Sequence, residues 1–163
     1  MYRAIVRQLV RRAFRHLSRG DYGPVVNQFS TDSVFCFEGD HALGGERHGR
    51  EQAEQWFRDM LRLFPGIRLT THDVVVNGWP WKTVVATRFS VEAPSPDGNV
   101  YRNEGMQFLR LRWGRIVEDR LFEDTQELAA ELERRAQQLI EYETLEGPEL
   151  LELLGPTDWQ EAA

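Results

Sequence analysis

Apolar residues recur at helical spacing over the first twenty positions. Ile5, Val6, Leu9, Val10, Ala13, Phe14 and Leu17 form one face, and Arg3, Arg7, Arg11 and Arg15 form a polar stripe beside it. The pattern predicts a first helix that ends near Gly20 and buries one side. Asp21 is placed to cap a short second helix from about Tyr22 to Phe29. Ser33 to Glu38 (SVFCFE) is short, β-branched and aromatic, which predicts a strand. Gly39 to Gly49 has the composition of a loop. Ala53, Trp56, Phe57, Met60, Leu61 and Phe64 share one helical face, predicting a helix over Arg50 to Phe64 that Pro65 and Gly66 stop.

The period then changes to two. Ile67 to Asn77, Lys82 to Glu92, Val100 to Trp113 and Arg115 to Glu123 predict four long strands, joined by turn-like NGWPW, APSPDGN and RWGR. Asp124 to Glu127 (DTQE) has the form of a capping box opening a helix to about Tyr142. Two Gly-Pro pairs and a Leu/Glu-rich stretch follow, predicting a short helix or a loosely docked tail. The order of elements predicts an α+β fold. Its expected form is a cone-shaped roll, a curved antiparallel sheet packed by three N-terminal helices, with an extra C-terminal helical tail. Residues 1–130 would form the domain and 131–163 an acidic helical extension. The open mouth of such a roll is a natural pocket.

Composition narrows the class. At 163 residues and 41% hydrophobic, the chain is one domain with a real core. No apolar run approaches the about 18 residues of a transmembrane helix. The lone cysteine, Cys36, excludes an internal disulfide framework and fits a reducing cytoplasm. The net charge of −6 opposes nucleic-acid binding over the whole surface, and neither a nucleic acid nor a membrane is expected as a partner. The charge is uneven: residues 1–20 carry six arginines and no acid, whereas residues 126–163 carry ten acids against Arg134 and Arg135. An arginine-rich, acid-free start also occurs in mitochondrial transit peptides, but the apolar face favours a domain helix. Its arginine stripe is a possible partner for the acidic tail.

A family resemblance rests on D-S-V-F-C-F-E-G after the second helix and on H-G-R-E opening the third. It also rests on Y-R-N-E-G-M-Q-F-L-R-L-R-W-G-R-I-V-E-D-R and the closing F-E-D-T. Over about residues 1–130 the chain resembles the nuclear transport factor 2-like superfamily, and within it the SnoaL-like and ketosteroid isomerase-like proteins. The fold implied is the roll above. The activity is open, because the superfamily holds isomerases, cyclases, epoxide hydrolases and dehydratases.

The resemblance implies roles at single positions. In ketosteroid isomerases a carboxylate ending the first strand moves the proton, and Glu38 stands there. The acid that donates to the oxyanion falls near Gln107, which donates a hydrogen bond but is no acid. In epoxide-hydrolase-like members an E-R-V-D strand corresponds to T-R-F-S here, so Arg88 is kept and Ser90 replaces the acid. Their second aspartate falls on Leu121. SnoaL-like cyclases rely on an aspartate deep in the cone; if it sits on this last strand, Leu121 stands in its place and counts against that reading.

Strand alternation extends these points into a cavity. Arg88 facing inward would bring Ser90 with it. Gln107 would bring Asn103, Gly105 and Leu109, and Leu121 would share its face with Asp119 and Glu123. Cys36 shares a face with Glu38. The expected ligand-binding set is therefore Arg88, Ser90, Asn103, Gln107, Leu121, Cys36 and His41, with Glu38 as the candidate catalytic group. His41 and His48 near Glu38 and Asp40 match no compact metal motif, and no metal is expected. No phosphate-binding loop appears, and no cofactor is expected. Trp79 and Trp81 bracket Pro80 at a hairpin tip, a pattern expected to be buried against a dimer partner or the acidic tail. Outward Met106 and Phe108 would suit a homodimer.

Two functions fit. One is a SnoaL-like protein of unassigned activity whose apolar pocket binds a mid-sized hydrophobic molecule bearing a carbonyl or carboxylate. The alternative is an isomerase- or cyclase-type enzyme moving a proton next to a carbonyl, with Glu38 as general base.

Overall fold

A computed structural model describes residues 1–154, with side chains through residue 140. The expected contact between the acidic tail and the first helix falls largely on side chains outside that range. The chain forms α1 (Tyr2–Leu17), α2 (Gly23–Val26), β1 (Phe29–Phe37), β2 (Gly45–His48), α3 (Gly49–Leu63), β3 (Arg68–Trp79), β4 (Lys82–Pro94), β5 (Val100–Arg112), β6 (Arg115–Glu123) and α4 (Thr125–Leu154). The six strands make one sheet in the order β2-β1-β6-β5-β4-β3. The result is the expected α+β roll, with differences in its parts. Helix α2 is shorter than expected and has no side-chain cap from Asp21, and β1 begins at Phe29 rather than Ser33. The stretch expected as loop contains β2, which pairs antiparallel with β1. The sheet also has one parallel joint, β1 against β6, with Phe35 beside Asp119 and Phe37 beside Leu121.

Helix α1 buries Val6, Val10, Phe14 and Leu17 of the face read from its periodicity, whereas Ile5 and Leu9 of that face stay exposed. The four buried residues share one core with Trp56, Phe57 and Met60 of α3 and with the concave side of the sheet. Rings lock the layers together: Phe14 lies 5.2 Å from Phe89, and Phe35 lies 4.6 Å from Trp56. Each such aromatic pair contributes about 0.5–1.5 kcal/mol beyond area burial. Gly105 on β5 lies under the Phe89 ring, where a Cβ would overlap its tip. The close approach of the two strands' contents explains a glycine in mid-strand.

Helix α3 opens at Gly49, with φ +79, and the His48 amide donates to Gln52 Oε1 at 2.8 Å. Gly66, with φ +73, follows its end. At α4 the Asp124 carboxylate accepts from the amides of Gln126 (3.1 Å) and Glu127 (3.4 Å), as a cap should. The reciprocal half of the box comes from β5 instead: the Asp124 amide donates to Asn103 Oδ1 at 3.2 Å. The helix runs on to Leu154, past the expected end near Tyr142.

The first half of α4 is fastened to the roll. Leu128 is buried, and Glu131 is fully buried. Glu131 accepts from Ser95 Oγ at 2.9 Å and pairs with Arg135 at 2.7 Å. Arg135 also donates to the carbonyls of Leu63 and Pro94, and its guanidinium lies 4.4 Å from the Phe64 ring centre. One buried network thus joins α4, the end of α3 and the β4–β5 connection. No helix among the described residues is long and apolar enough to cross a membrane.

Candidate functional site

Helices α1 and α3 do not fill the concave side of the sheet, and a cavity of about 170 Å³ remains. Its walls are mostly apolar, from Val10, Phe14, Trp56, Phe89 and Leu109. Ile5 and Leu9 of α1 line it and are also exposed, so this edge is a mouth. Leu128 brings the first turns of α4 to the same wall.

The polar groups come mainly from β5 and β6. Alternation on β6 puts Asp119, Leu121 and Glu123 into the cavity. Asp119 is only 2% exposed. Gln107 faces it from β5, with Nε2 donating to both carboxylate oxygens at 3.1 Å. Burial pushes the Asp119 carboxyl up to about 7, and the Gln107 hydrogen bond pulls it the other way. The carbonyl oxygen of Gln107 is buried and has no hydrogen-bond partner among the described residues. Glu123 lies further along the same face, and burial pushes its carboxyl up to about 7 as well. Asn103 Nδ2 reaches it at 3.4 Å and also donates to Tyr101 Oη at 2.8 Å and to the Asp124 carbonyl at 3.0 Å. Burial raises the Tyr101 phenol.

Two carboxyls near neutrality in an apolar cavity can take or give protons at physiological pH, which an ordinary carboxylate with a pKa near 4 does poorly.

The structure sorts the expected residues into two groups. Gln107 and Leu121 line the cavity. Asn103 is buried beside it, with its two amide hydrogens directed to Tyr101 and the Asp124 carbonyl and its nitrogen 3.4 Å from Glu123. Arg88 and Ser90 do not face inward: the buried phase of β4 is Thr83, Val85, Thr87, Phe89 and Val91. Arg88 lies on the outer face, paired with Asp73 at 3.0 Å and Glu104 at 3.9 Å, and Ser90 bonds His72 there. Cys36 and Glu38 do share a face, but it is the outer one, because Phe35 and Phe37 take the core side. Glu38 pairs with Arg120 at 2.9 Å and accepts from the Cys36 thiol at 3.3 Å. Burial raises that thiol, which makes it a poor nucleophile. His41 stacks edge-on against Phe37 and faces the Glu38 carbonyl at 3.3 Å, outside the cavity wall. The acids that do occupy the cone, Asp119 and Glu123, flank Leu121 at period two, and that period is their signal in the sequence.

Trp79 and Trp81 are exposed and stack on each other, 6.0 Å apart and nearly parallel. The side chains of the acidic tail expected to cover them lie largely outside the described residues. Trp113 joins them, 6.2 Å from Trp81, and its amide donates to the Pro80 carbonyl at 2.6 Å.

A family model for the SnoaL-like domain matches residues 10–119. Among solved structures, the fold is similar to IdmH of Streptomyces antibioticus, a protein with a provisional polyketide-cyclase name. That pair is 22% identical with TM-score 0.61, covering 77% of this chain and 96% of the other. TerC, crystallised with polyporic acid, is 15% identical with TM-score 0.65, covering 77% and 96%. An NTF2-like protein of unknown function from Burkholderia pseudomallei is 22% identical with TM-score 0.63, covering 77% and 95%. No curated protein matches the chain.

Proposed function

The chain belongs to the SnoaL-like domain family, and we propose that it is a proton-transfer enzyme acting on a hydrophobic, carbonyl-bearing small molecule. Asp119 is its acid–base group. The observation that carries this reading is the Asp119 carboxyl, buried in an apolar cavity and held, among the described residues, by one neutral partner, Gln107. A cavity of about 170 Å³ suits one or two rings, since about 150 Å³ accepts benzene in a protein interior. The apolar walls bind the ring system and leave the carbonyl as its chief polar feature.

In the reaction, one Asp119 oxygen takes the proton from the carbon next to the substrate carbonyl. The C–H electrons form the enolate, and the protonated Asp119 returns the proton to another carbon or to oxygen. An isomerisation follows from return at carbon; a ring closure follows if the enolate carbon attacks a second carbonyl and Asp119 protonates the resulting alkoxide. Gln107 acts as a positioning residue that keeps the carboxyl aimed into the cavity. Glu38 has no part in this reading, because it sits on the outer face with Arg120. The exposed apolar outer face, with Val75, Met106 and Phe122, supports a homodimer, which light scattering would test.

The test uses 2-tetralone in D₂O, with exchange at the carbons beside the carbonyl followed by proton NMR. Wild-type protein should accelerate the exchange, and Asp119→Asn should reduce the acceleration at least a hundredfold while the ketone still binds. Equal acceleration by the variant would overturn the assignment.

A further inference from the structure

The cone carries one device twice. Asp119 and Glu123 stand four residues apart on the inner face of β6, and Gln107 and Asn103 stand four residues apart on β5. Gln107 is directly opposite Leu121 in the ladder, so its amide reaches Asp119 along a diagonal of two residues. Asn103 lies two positions beyond Gly105, the partner of Glu123, and reaches Glu123 along the same diagonal. Each carboxyl thus faces the cavity with one side-chain amide nitrogen behind it, at 3.1 Å in the first couple and 3.4 Å in the second.

Neither acid is absorbed by a structural role. Among the described residues no ion pair involves either one; Arg120 goes to Glu38 and Glu118, and Arg102 goes to Glu92. The cap of α4 is supplied by Asp124 and Asn103, without Glu123. The buried, unpartnered Gln107 carbonyl oxygen adds a further polar atom on the cavity wall.

We propose that the cone is a two-headed site for a one- or two-ring hydrophobic ligand with oxygen at both ends. The carbonyl beside the reacting carbon lies at Asp119, and a hydroxyl lies at Glu123. The Asp119 end rests on the proton-transfer reading above; the Glu123 end is new. Four residues of strand separate the two carboxyls by about 13 Å. Subtracting a hydrogen bond of about 2.8 Å at each end, which at Asp119 is the one its protonated carboxyl donates to the enolate oxygen after the transfer, leaves ligand oxygens about 7–8 Å apart. That spacing matches oxygens at opposite ends of two fused rings. It excludes a ligand that is polar at one end only as the best fit, because Glu123 would then lose water without a partner.

Three ligands test this by calorimetry on the wild-type protein: 2-tetralone, 6-hydroxy-2-tetralone and 6-methoxy-2-tetralone. The hydroxy ketone should bind at least tenfold more tightly than 2-tetralone, and the methoxy ketone, which has no proton to donate, should lose that gain. In Glu123→Leu the preference for the hydroxy ketone should fall below threefold. Because the first comparison alters only the ligand, it stands whether or not the variant folds. Equal affinity of the first two ligands in the wild type overturns the second head and leaves the Asp119 reading intact, as does a preference that survives in a folded Glu123→Leu protein. A hydroxyl preference without any exchange beside the carbonyl keeps the second head and overturns the Asp119 reading. Absence of binding by all three ligands overturns both.

Discussion

Gln107 and Asp119 meet diagonally across the β5–β6 ladder, with the amide nitrogen 3.1 Å from each carboxylate oxygen. The partner is neutral, so the hydrogen bond lowers the cost of the buried charge without cancelling it. This imbalance raises the carboxyl and costs stability.

The cost has a definite sign with pH. Asp119 rises from 3.8 to about 7 on folding, and Glu123 from 4.5 to about 7. The folded protein therefore holds more protons than the unfolded chain between about pH 4 and 7, and stability falls as pH rises through that window. The loss is complete above the folded values, at about 1.4 kcal/mol for each pH unit by which a carboxyl is raised. Thermal melts at pH 5.5 and pH 8 should show the higher Tm at pH 5.5. Asp119→Asn removes the larger share of the loss and keeps an acceptor for Gln107, so its Tm should exceed that of the wild type at pH 8 and approach it at pH 5.5. A wild-type Tm that is flat across this range would contradict the buried carboxyls.

Gly105→Ala should destabilise the roll. The new methyl overlaps the tip of the Phe89 ring, and Phe89 in turn packs on Phe14 of α1. Overpacking of this kind costs about 1–3 kcal/mol, read as a lower urea midpoint with an unchanged slope. Adding Phe89→Leu, which frees the space, should recover part of the loss.

Arg88→Leu should leave ligand binding unchanged. Arg88 sits on the outer face, and its pairs with Asp73 and Glu104 are solvent-exposed. Exposed pairs contribute about 0–1 kcal/mol, so the urea midpoint should move little. A loss of 2-tetralone binding in this variant would place Arg88 in the cone after all.

Glu131→Ala should loosen α4. It leaves the Arg135 guanidinium, 8% exposed, without its carboxylate. Breaking one side of a buried pair costs about 3–5 kcal/mol. Glu131→Leu with Arg135→Met should cost much less than the single change, because no charge is left stranded. Urea titrations of the three proteins compare these outcomes.

Periodicity located the elements well and the faces unevenly. Strands β3 to β6 lie within a few residues of their expected ranges, because two-residue alternation and glycine turns both mark them. Four residues of β2 were hidden in GERH, which is polar and mostly exposed, so nothing apolar announced a strand. On β4 the inner phase lies one residue away from the one the family motif implies. Its Arg88 and Ser90 matched a family motif, whereas the inward Thr87, Phe89 and Val91 followed the core. A slip of one residue exchanges every side chain between faces. Glu38 was misplaced for a related reason: β1 carries Phe35 and Phe37 on its core side, and Glu38 keeps the alternate phase with Cys36. On β6 the phase was right. Asp119 and Glu123 were legible as neighbours of Leu121, but their desolvation was not, since it depends on α1, α3 and α4 closing over them.

The parallel seam between β1 and β6 has a consequence for how the molecule is made. Val34 to Phe37 pair with Glu118 to Leu121, so the first strand waits for more than eighty residues of chain before its neighbour exists. On the ribosome, α1 to α3 and the β3–β5 hairpins can form early, while β1 has only β2 beside it. Long-range pairing of this kind slows folding. Asp119 lies on the strand that closes the seam, so the acid is shielded from water only when the last sheet strand arrives.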